Sequence, residues 1–395
     1  MPSPTDVAYC GLAIDAGTRD EKAHEQGMAH FCEHMLFKGT NHRRAWHILN
    51  RMEAVGGDLN AYTTKEETFV YAAFLREHLQ RAVELLLDVV FHSTFPQHEI
   101  DKESEVIVEE IESYKDSPSE LIFDDFENLL FAGHPLGHDI LGTAERVRSF
   151  RTSDALRFTQ RLYRPERMVL FVFGRYDFEY VKNIVSKELE KALGKVNIYT
   201  SYKRPVRKLK PLPAFTKTLR LNTHQAHVMM GCRGYSSTDR RRIALYFLNN
   251  LIGGPGMNSL LNVALREHKG LVYTVESTLT NYTDTSTFSI YFGCDTDDVE
   301  RCISLVRKEL TQLAETPLTQ HRFEAALRQI RGQIGVACDN FENYALDMAK
   351  SYLHYNRIES IDDTYQQLSK LTPQLLQEVA QDLFTDNNLS VLVYQ

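Results

Sequence analysis

The segment His30-Phe31-Cys32-Glu33-His34 sets two imidazoles four positions apart, with a carboxylate beside the second. On a helix, residues four apart lie on one face, so His30 and His34 can aim at a single ion. Neutral imidazole is a good zinc ligand, and a catalytic zinc takes three protein ligands and keeps a position for water. Glu33, next to His34, could reach that water as a general base. A third ligand must come from another element. The acidic stretch Asp101–Glu112 (DKESEVIVEEIE) offers Glu103 and Glu110, which are seven apart and share a helix face to within about 20°. One could bind metal while the other holds a ligand histidine from behind. Glu109 is the neighbour most easily confused with Glu110, and a solvated acidic face is the commoner fate of such a run.

H-x-x-E-H is the inverted order of a zinc-hydrolase motif. By composition alone it arises roughly once in twenty chains of this size. The competing reading, two histidines with ordinary partners on a partly buried helix, therefore needs a wider context to set it aside.

That context is the arrangement of the 395 residues. Val7–Ile14 is strand-like and Gly27–Phe37 has helical spacing. Glu66–Phe74 is rich in Thr, Phe, Val and Tyr and predicts a strand. Leu79–Phe91 (LQRAVELLLDVVF) and Pro96–Lys115 predict helices. The second half repeats the order: strand at 225–232, helix at 241–252, strand at 285–292, then helices at 299–313 and 320–335. Thr68-Phe69 and Thr287-Phe288 open equivalent strands; Gln97-His98 and Gln320-His321 start equivalent helices. Two diverged copies of one α+β fold are expected, each a mixed sheet packed with helices. The helix with HFCEH in the first copy reads LYFLNNL in the second, so ligand-type residues stand on one side only. The expected division is 1–195 for a metal-binding catalytic domain, 196–216 for a linker rich in Lys, Arg and Pro, and 217–395 for the second domain.

A net charge of −8 argues against nucleic acid as the main partner. The basic run Lys203–Lys210 is broken by Pro205 and is expected to be solvated linker. The six cysteines include no C-x-x-C pair, which fits free thiols in a reducing compartment. No apolar run approaches the roughly 18–20 residues of a membrane span. The opening residues lack a basic segment followed by a long apolar one, so the expected location is cytoplasmic, with allowance for a trimmed N-terminus. His134 and His138 flank Pro135 and Gly137, and His224 and His227 adjoin a strand with no acidic partner in sequence. Both pairs are expected to be structural.

Four segments together, GMAHFCEHMLFKGT (27–40), GGDLNAYTTKEETFVYA (56–72), EVIVEEIESYKDSP (105–118) and HPLGHDILGT (134–143), resemble the pitrilysin family of zinc peptidases. That family includes insulin-degrading enzyme and the mitochondrial processing peptidases, and the chain is similar to its short bacterial members. The resemblance implies His30 and His34 as zinc ligands, Glu33 as base and Glu110 as third ligand. Glu103 matches an acidic residue that supports the site without binding metal. IGGPGMNSLLNVALREHKGLVY (252–273) lacks the G-K-[ST] of a phosphate loop. The resemblance makes it a substrate-facing glycine-rich turn, with Gly253 and Gly254 as contacts, and matches Arg266 and Tyr273 to an arginine–tyrosine pair near the oxyanion. It also implies half of a clam-shell dimer, a homodimer or a heterodimer with a related chain, in which that pair comes from the partner subunit.

If the 56–74 segment forms an exposed sheet edge, an extended peptide can add to it by main-chain hydrogen bonds, with Asn60 and Ala61 as the contacts. The expected function is a zinc metalloendopeptidase acting on peptides or unfolded, presequence-like segments. The alternative is a non-catalytic peptide-binding partner subunit. Two departures from the family stand out. A strand that usually precedes the first one here is missing, and Leu260 stands where an Arg is usual.

Overall fold

The computed structural model describes residues 5–195, 202, 204–221 and 223–395. Residues 196–201 and 203 of the expected linker lie outside the described residues. The strands are β1 (Val7–Ile14), β2 (Asp58–Thr63), β3 (Thr68–Leu75), β4 (Met168–Phe173), β5 (Thr216–Leu219), β6 (Ala226–Gly234), β7 (Val272–Asn281), β8 (Ser286–Cys294) and β9 (Ser390–Tyr394). In the first half the helices are α1 (Met28–Met35), α2 (Ala45–Glu53), α3 (Leu79–Phe91), α4 (Gln97–Lys115), α5 (Pro118–Leu130), α6 (Ala144–Ser149), α7 (Thr152–Leu162) and α8 (Phe178–Leu193). The second half adds α9 (Arg242–Gly253), α10 (Val299–Glu315), α11 (Gln320–Ala337), α12 (Phe341–Tyr355), α13 (Ile361–Ser369) and α14 (Pro373–Leu383). No helix among the described residues is long and apolar enough to cross a membrane.

Two compact units result, and neither is a continuous stretch of chain. One comprises residues 1–113, 138–205 and 338–359; the other comprises 114–137, 206–337 and 360–395. The first unit is built on a four-stranded antiparallel sheet in the order β2-β3-β1-β4. α3 covers one face because its apolar residues recur at helical spacing: Leu79, Ala82, Val83, Leu86, Leu87 and Val90 are all buried. α12, from late in the chain, covers the other face, where Leu346 and Ala349 meet Ala13, Phe69 and Tyr71. Polar contacts fix it there: Lys350 and His354 both reach the buried carboxylate of Glu67, between β2 and β3.

The second unit repeats the plan with five strands, β5-β9-β6-β8-β7, of which β5 and β9 run parallel. α9, α10 and α14 share its main core. Its other face is covered by α5, from the first half, through Ile122, Phe126 and Leu130 against Met229 and Leu392. Each half of the chain thus lends one helix to the other half's sheet. The linear division at 196–216 does not reveal this exchange, because a helix's hydrophobic stripe does not say which sheet it will cover. The two halves otherwise correspond as expected: Phe69 and Phe288 are both fully buried, and α4 and α11 begin at Gln97 and Gln320. Among the described residues the first sheet has β4 at its edge, where the second sheet carries β5 beyond β9.

Arg204 departs from the solvated-linker expectation. Its side chain is buried among Asp15, Asp20 and Glu66, donating to Asp15, to Asp20 Oδ2 at 2.8 Å and to the Glu66 carbonyl at 2.7 Å. The physical reason is that three carboxylates converge there with only two other guanidinium groups, Arg19 and Arg167, and no local pattern around residue 204 announces this. All six cysteines are free thiols.

Candidate metal centre

Gly27 has φ of 91° and starts α1; a Cβ there would sit 2.7 Å from the Leu141 carbonyl oxygen. Only glycine takes that conformation and that approach together. The carboxylate of Glu21 accepts from the Gly27 and Ala29 backbone amides at 3.0 and 2.8 Å, closing the N-terminal end of the helix. His138 Nε2 lies 3.0 Å from the same carboxylate, so this histidine supports the helix that carries the motif. α1 is thereby held at its start, and its buried face (Met28, Ala29, Phe31, Cys32, Met35) locks its rotation.

His30 and His34 then project side by side, ring centroids 4.5 Å apart. The Nε2 atoms of both lie 3.8 Å from Glu110 Oε2 on α4. The three ligand-type atoms all fall within 4.8 Å of one another. Tetrahedral zinc, with bonds of about 2.0–2.1 Å, sets its ligand atoms about 3.3 Å apart. Small side-chain adjustments close that gap, and two imidazole nitrogens with one carboxylate oxygen are a catalytic-type zinc donor set.

Glu103, two turns before Glu110 on the same face of α4, is buried and turned to the back of His34: its Oε1 is 3.0 Å from His34 Nδ1. Lys38 Nζ donates to its other oxygen at 2.6 Å. An ionised Glu103 places the His34 proton on Nδ1 and leaves Nε2 free for a metal. Burial works against the charge on Glu103, but the contacts from His34 and Lys38 outweigh it and hold the carboxyl below its usual range. Burial, together with its neighbour His34, pulls His30 down to about 3, so this ring is neutral, as a ligand must be. Its Nδ1 is buried without a hydrogen-bond partner, so packing alone orients it. His34 behaves oppositely: burial lowers it, but Glu103, Glu33 and Glu110 prevail and raise it.

Glu33 is mostly buried; burial and the like charge of Glu110 raise its carboxyl, against the Thr63 hydrogen bond and His34. Its Oε2 has no hydrogen-bond partner. A carboxylate with one oxygen unspoken for, beside a metal position, suits proton transfer. Sequence reasoning did not single out Thr63, Lys38 or Glu21. The acidic residue ahead of a helix start was the one available signal, for Glu21.

β2 is an edge strand, and Asn60 and Ala61 lie on it half-buried, paired on one side only with Tyr71 and Val70. Asn60 Nδ2 donates to Asp58 Oδ2 at 2.8 Å.

In the second unit, Arg266 belongs to a π-helical turn (Asn262–Glu267) and Tyr273 to the start of β7, where the register with β8 is irregular. Both irregularities re-aim side chains and are common at functional sites. The Arg266 guanidinium lies 5.6 Å from the centroid of the Tyr273 ring, and Tyr273 is 81% exposed. A large aromatic so exposed, stacked under a cation, is free to meet a ligand. Gly253 ends α9 and is buried so close to β7 that a Cβ there would come within 2.6 Å of the Ser277 amide; Gly254 is half-buried. Leu260 packs in the core of this unit.

Residues 2–144 match the family described as insulinase (peptidase family M16), and residues 149–330 match the M16 inactive domain. A protein of Bacillus subtilis named an uncharacterized zinc protease is 30% identical over 99% of this chain and 94% of its own length. One so named from Streptomyces coelicolor is 32% identical over 97% of this chain and 83% of its own length. The solved structure of a protease from Helicobacter pylori aligns with a TM-score of 0.90 at 22% identity, over all of this chain and 95% of that one. A structure titled peptidase M16 inactive domain, from Pseudomonas fluorescens, aligns at 0.89 and 18% identity, covering 99% of this chain and 93% of that one.

Proposed function

The chain belongs to the M16 (insulinase) family of peptidases, and on that premise we propose that it is a zinc metalloendopeptidase hydrolysing peptides or unfolded, presequence-like segments. The observation that carries the proposal is the meeting of His30 Nε2, His34 Nε2 and Glu110 Oε2 within 4.8 Å, beside the unpartnered oxygen of Glu33. Zinc bound there supplies a Lewis acid and a water acidified toward neutral pH.

The chain's own residues do the rest. Glu103 and Lys38 hold His34 in the ligating tautomer. Glu33 takes the proton of the attacking water and returns it to the leaving amine. The peptide lies as an added strand along the free edge of β2, across Asn60 and Ala61, which reads extension more than side-chain identity. Tyr273 donates its hydroxyl to the developing oxyanion, with Arg266 adding positive charge. Gly253 and Gly254 shape the turn that faces the substrate. We propose further that the chain works as a clam-shell dimer, with a second copy or a related chain, and that the partner subunit supplies this Arg–Tyr pair.

The test is zinc content measured alongside cleavage of a quenched fluorescent peptide mixture. The proposal expects near one zinc at this centre, cleavage lost on chelation and cleavage restored by zinc. Zinc-loaded chain that leaves every peptide intact, alone and mixed with a related chain, would contradict it.

A further inference from the structure

A second convergence of ligand-type atoms lies in the first unit, on elements the hydrolytic site does not use. Asp88, in the last turn of α3, is 4% exposed. Its two oxygens are divided between different neighbours. Oδ2 accepts from the Thr40 hydroxyl at 2.9 Å and from Arg43 at 2.6 Å. Oδ1 faces two imidazole nitrogens, His42 Nδ1 at 2.6 Å and His92 Nδ1 at 3.2 Å. The two rings meet edge to face, 4.9 Å between centroids.

The surrounding backbone is set to hold this arrangement. The Thr40 hydroxyl accepts from the amides of His42 and Arg43 at 3.0 and 2.9 Å, and the Asn41 amide donates to the His92 carbonyl at 3.0 Å. His92 Nε2 is 3.1 Å from the Ala192 carbonyl in α8. A carbonyl can only accept, so that nitrogen carries the proton. A neutral ring would then turn the lone pair of Nδ1 toward a carboxylate oxygen, acceptor against acceptor. A metal ion held between the two would satisfy both lone pairs.

We propose that His42 Nδ1, His92 Nδ1 and Asp88 Oδ1 form a second, solvent-edge site for a borderline divalent transition metal such as zinc. The three atoms lie within 4.8 Å of one another. The His92–Asp88 separation of 3.2 Å already fits the roughly 3.3 Å between ligands of tetrahedral zinc. His42 must retreat by only about 0.7 Å, and its side chain is 59% exposed and can move outward. The bond from His92 Nε2 to a backbone carbonyl is the outer support that metal-binding histidines ordinarily have. Arg43 also pairs with Glu84, so its charge is shared and Oδ1 remains available to the metal. Imidazole with carboxylate selects zinc, copper or nickel over magnesium or calcium. An ion there would clip the loop at 40–43 to the ends of α3 and α8.

Equilibrium dialysis against buffered zinc, read by elemental analysis, tests this independently of hydrolysis. Wild type binds two equivalents per chain. His42→Ala and His92→Gln each lose the second, with an affinity drop beyond the roughly 10–100-fold expected for an outer-shell partner. His30→Ala/His34→Ala, which lacks the hydrolytic centre, still binds one equivalent, and cobalt bound to it shows the absorption of a low-coordinate site. Unfolding curves in chelator establish that each variant is folded. A single equivalent in wild type that disappears in His30→Ala/His34→Ala would overturn the proposal. So would a second equivalent unaffected by His42→Ala and His92→Gln. Failure here leaves the peptidase reading intact, because the two sites share no residue.

Discussion

At the proposed zinc centre, Glu103→Ala should loosen the metal without removing a proposed ligand. The carboxylate is buried, 3.0 Å behind His34 Nδ1, and its second oxygen accepts from Lys38 at 2.6 Å. It fixes the tautomer, the ring angle and the basicity of His34 Nε2. Loss of such a support costs about 10–100-fold in metal affinity, which is about 1.4–2.7 kcal/mol at 1.36 kcal/mol per decade. Glutamine and alanine separate the contributions. Glu103→Gln keeps an oxygen able to accept from Nδ1 but loses the charge, and belongs near the tenfold end. Glu103→Ala loses both and belongs near a hundredfold. Lys38 is 30% exposed and can turn to water, so the cost to global stability stays near about 1 kcal/mol. Competition against a chromogenic chelator at neutral pH gives the zinc affinity, and urea unfolding gives the stability. If Glu103→Ala holds zinc as tightly as wild type, the reasoning about His34 fails.

Gly27→Ala forces a side chain into φ of 91° and toward the Leu141 carbonyl. It should cost about 2 kcal/mol or more and weaken zinc binding, and equal stability by urea unfolding would refute the role given to this turn. Glu67 is held down at about 2: burial opposes its charge, but His354 and Lys350 prevail. A folded-state value below the unfolded one adds stability above the ordinary carboxyl range, and that stability is lost as pH falls from about 4.5 toward 2. The difference amounts to about 3 kcal/mol, so Glu67→Gln should flatten the acid limb of the stability curve; parallel limbs in wild type and variant would exclude it. Tyr273→Phe should lower kcat with zinc content unchanged, and full peptidase activity in a zinc-replete variant would remove Tyr273 from the mechanism.

The helix proposed to hold zinc was legible because its pattern is local: His30, Glu33 and His34 sit within one and a half turns. The facing carboxylates were legible only as a set. Helical spacing put Glu103 and Glu110 on one face, and resemblance alone assigned their roles. In the fold, Glu110 Oε2 lies 3.8 Å from both Nε2 atoms and Glu103 Oε1 lies 3.0 Å behind His34 Nδ1. The duplicated order of strands and helices was visible in paired landmarks such as Phe69 and Phe288. The exchange of α5 and α12 was not, since Phe126 and Leu346 advertise only that some surface must cover them. Glu21, Thr63 and Arg204 escaped notice for the same reason: each acts on a residue distant in sequence, and partners brought together by folding leave no local pattern. His138 stood inside a motif segment, yet its partner Glu21 is 117 positions away.

The central claim is tested most directly by comparing zinc content and peptide cleavage in wild type and Glu33→Gln. The substitution keeps the size of the side chain and leaves His30, His34 and Glu110 in place, but removes the group proposed to take the proton. The account predicts about one zinc at the hydrolytic centre in both proteins, with cleavage by the variant reduced by at least about 100-fold. Undiminished cleavage by zinc-loaded Glu33→Gln would contradict it.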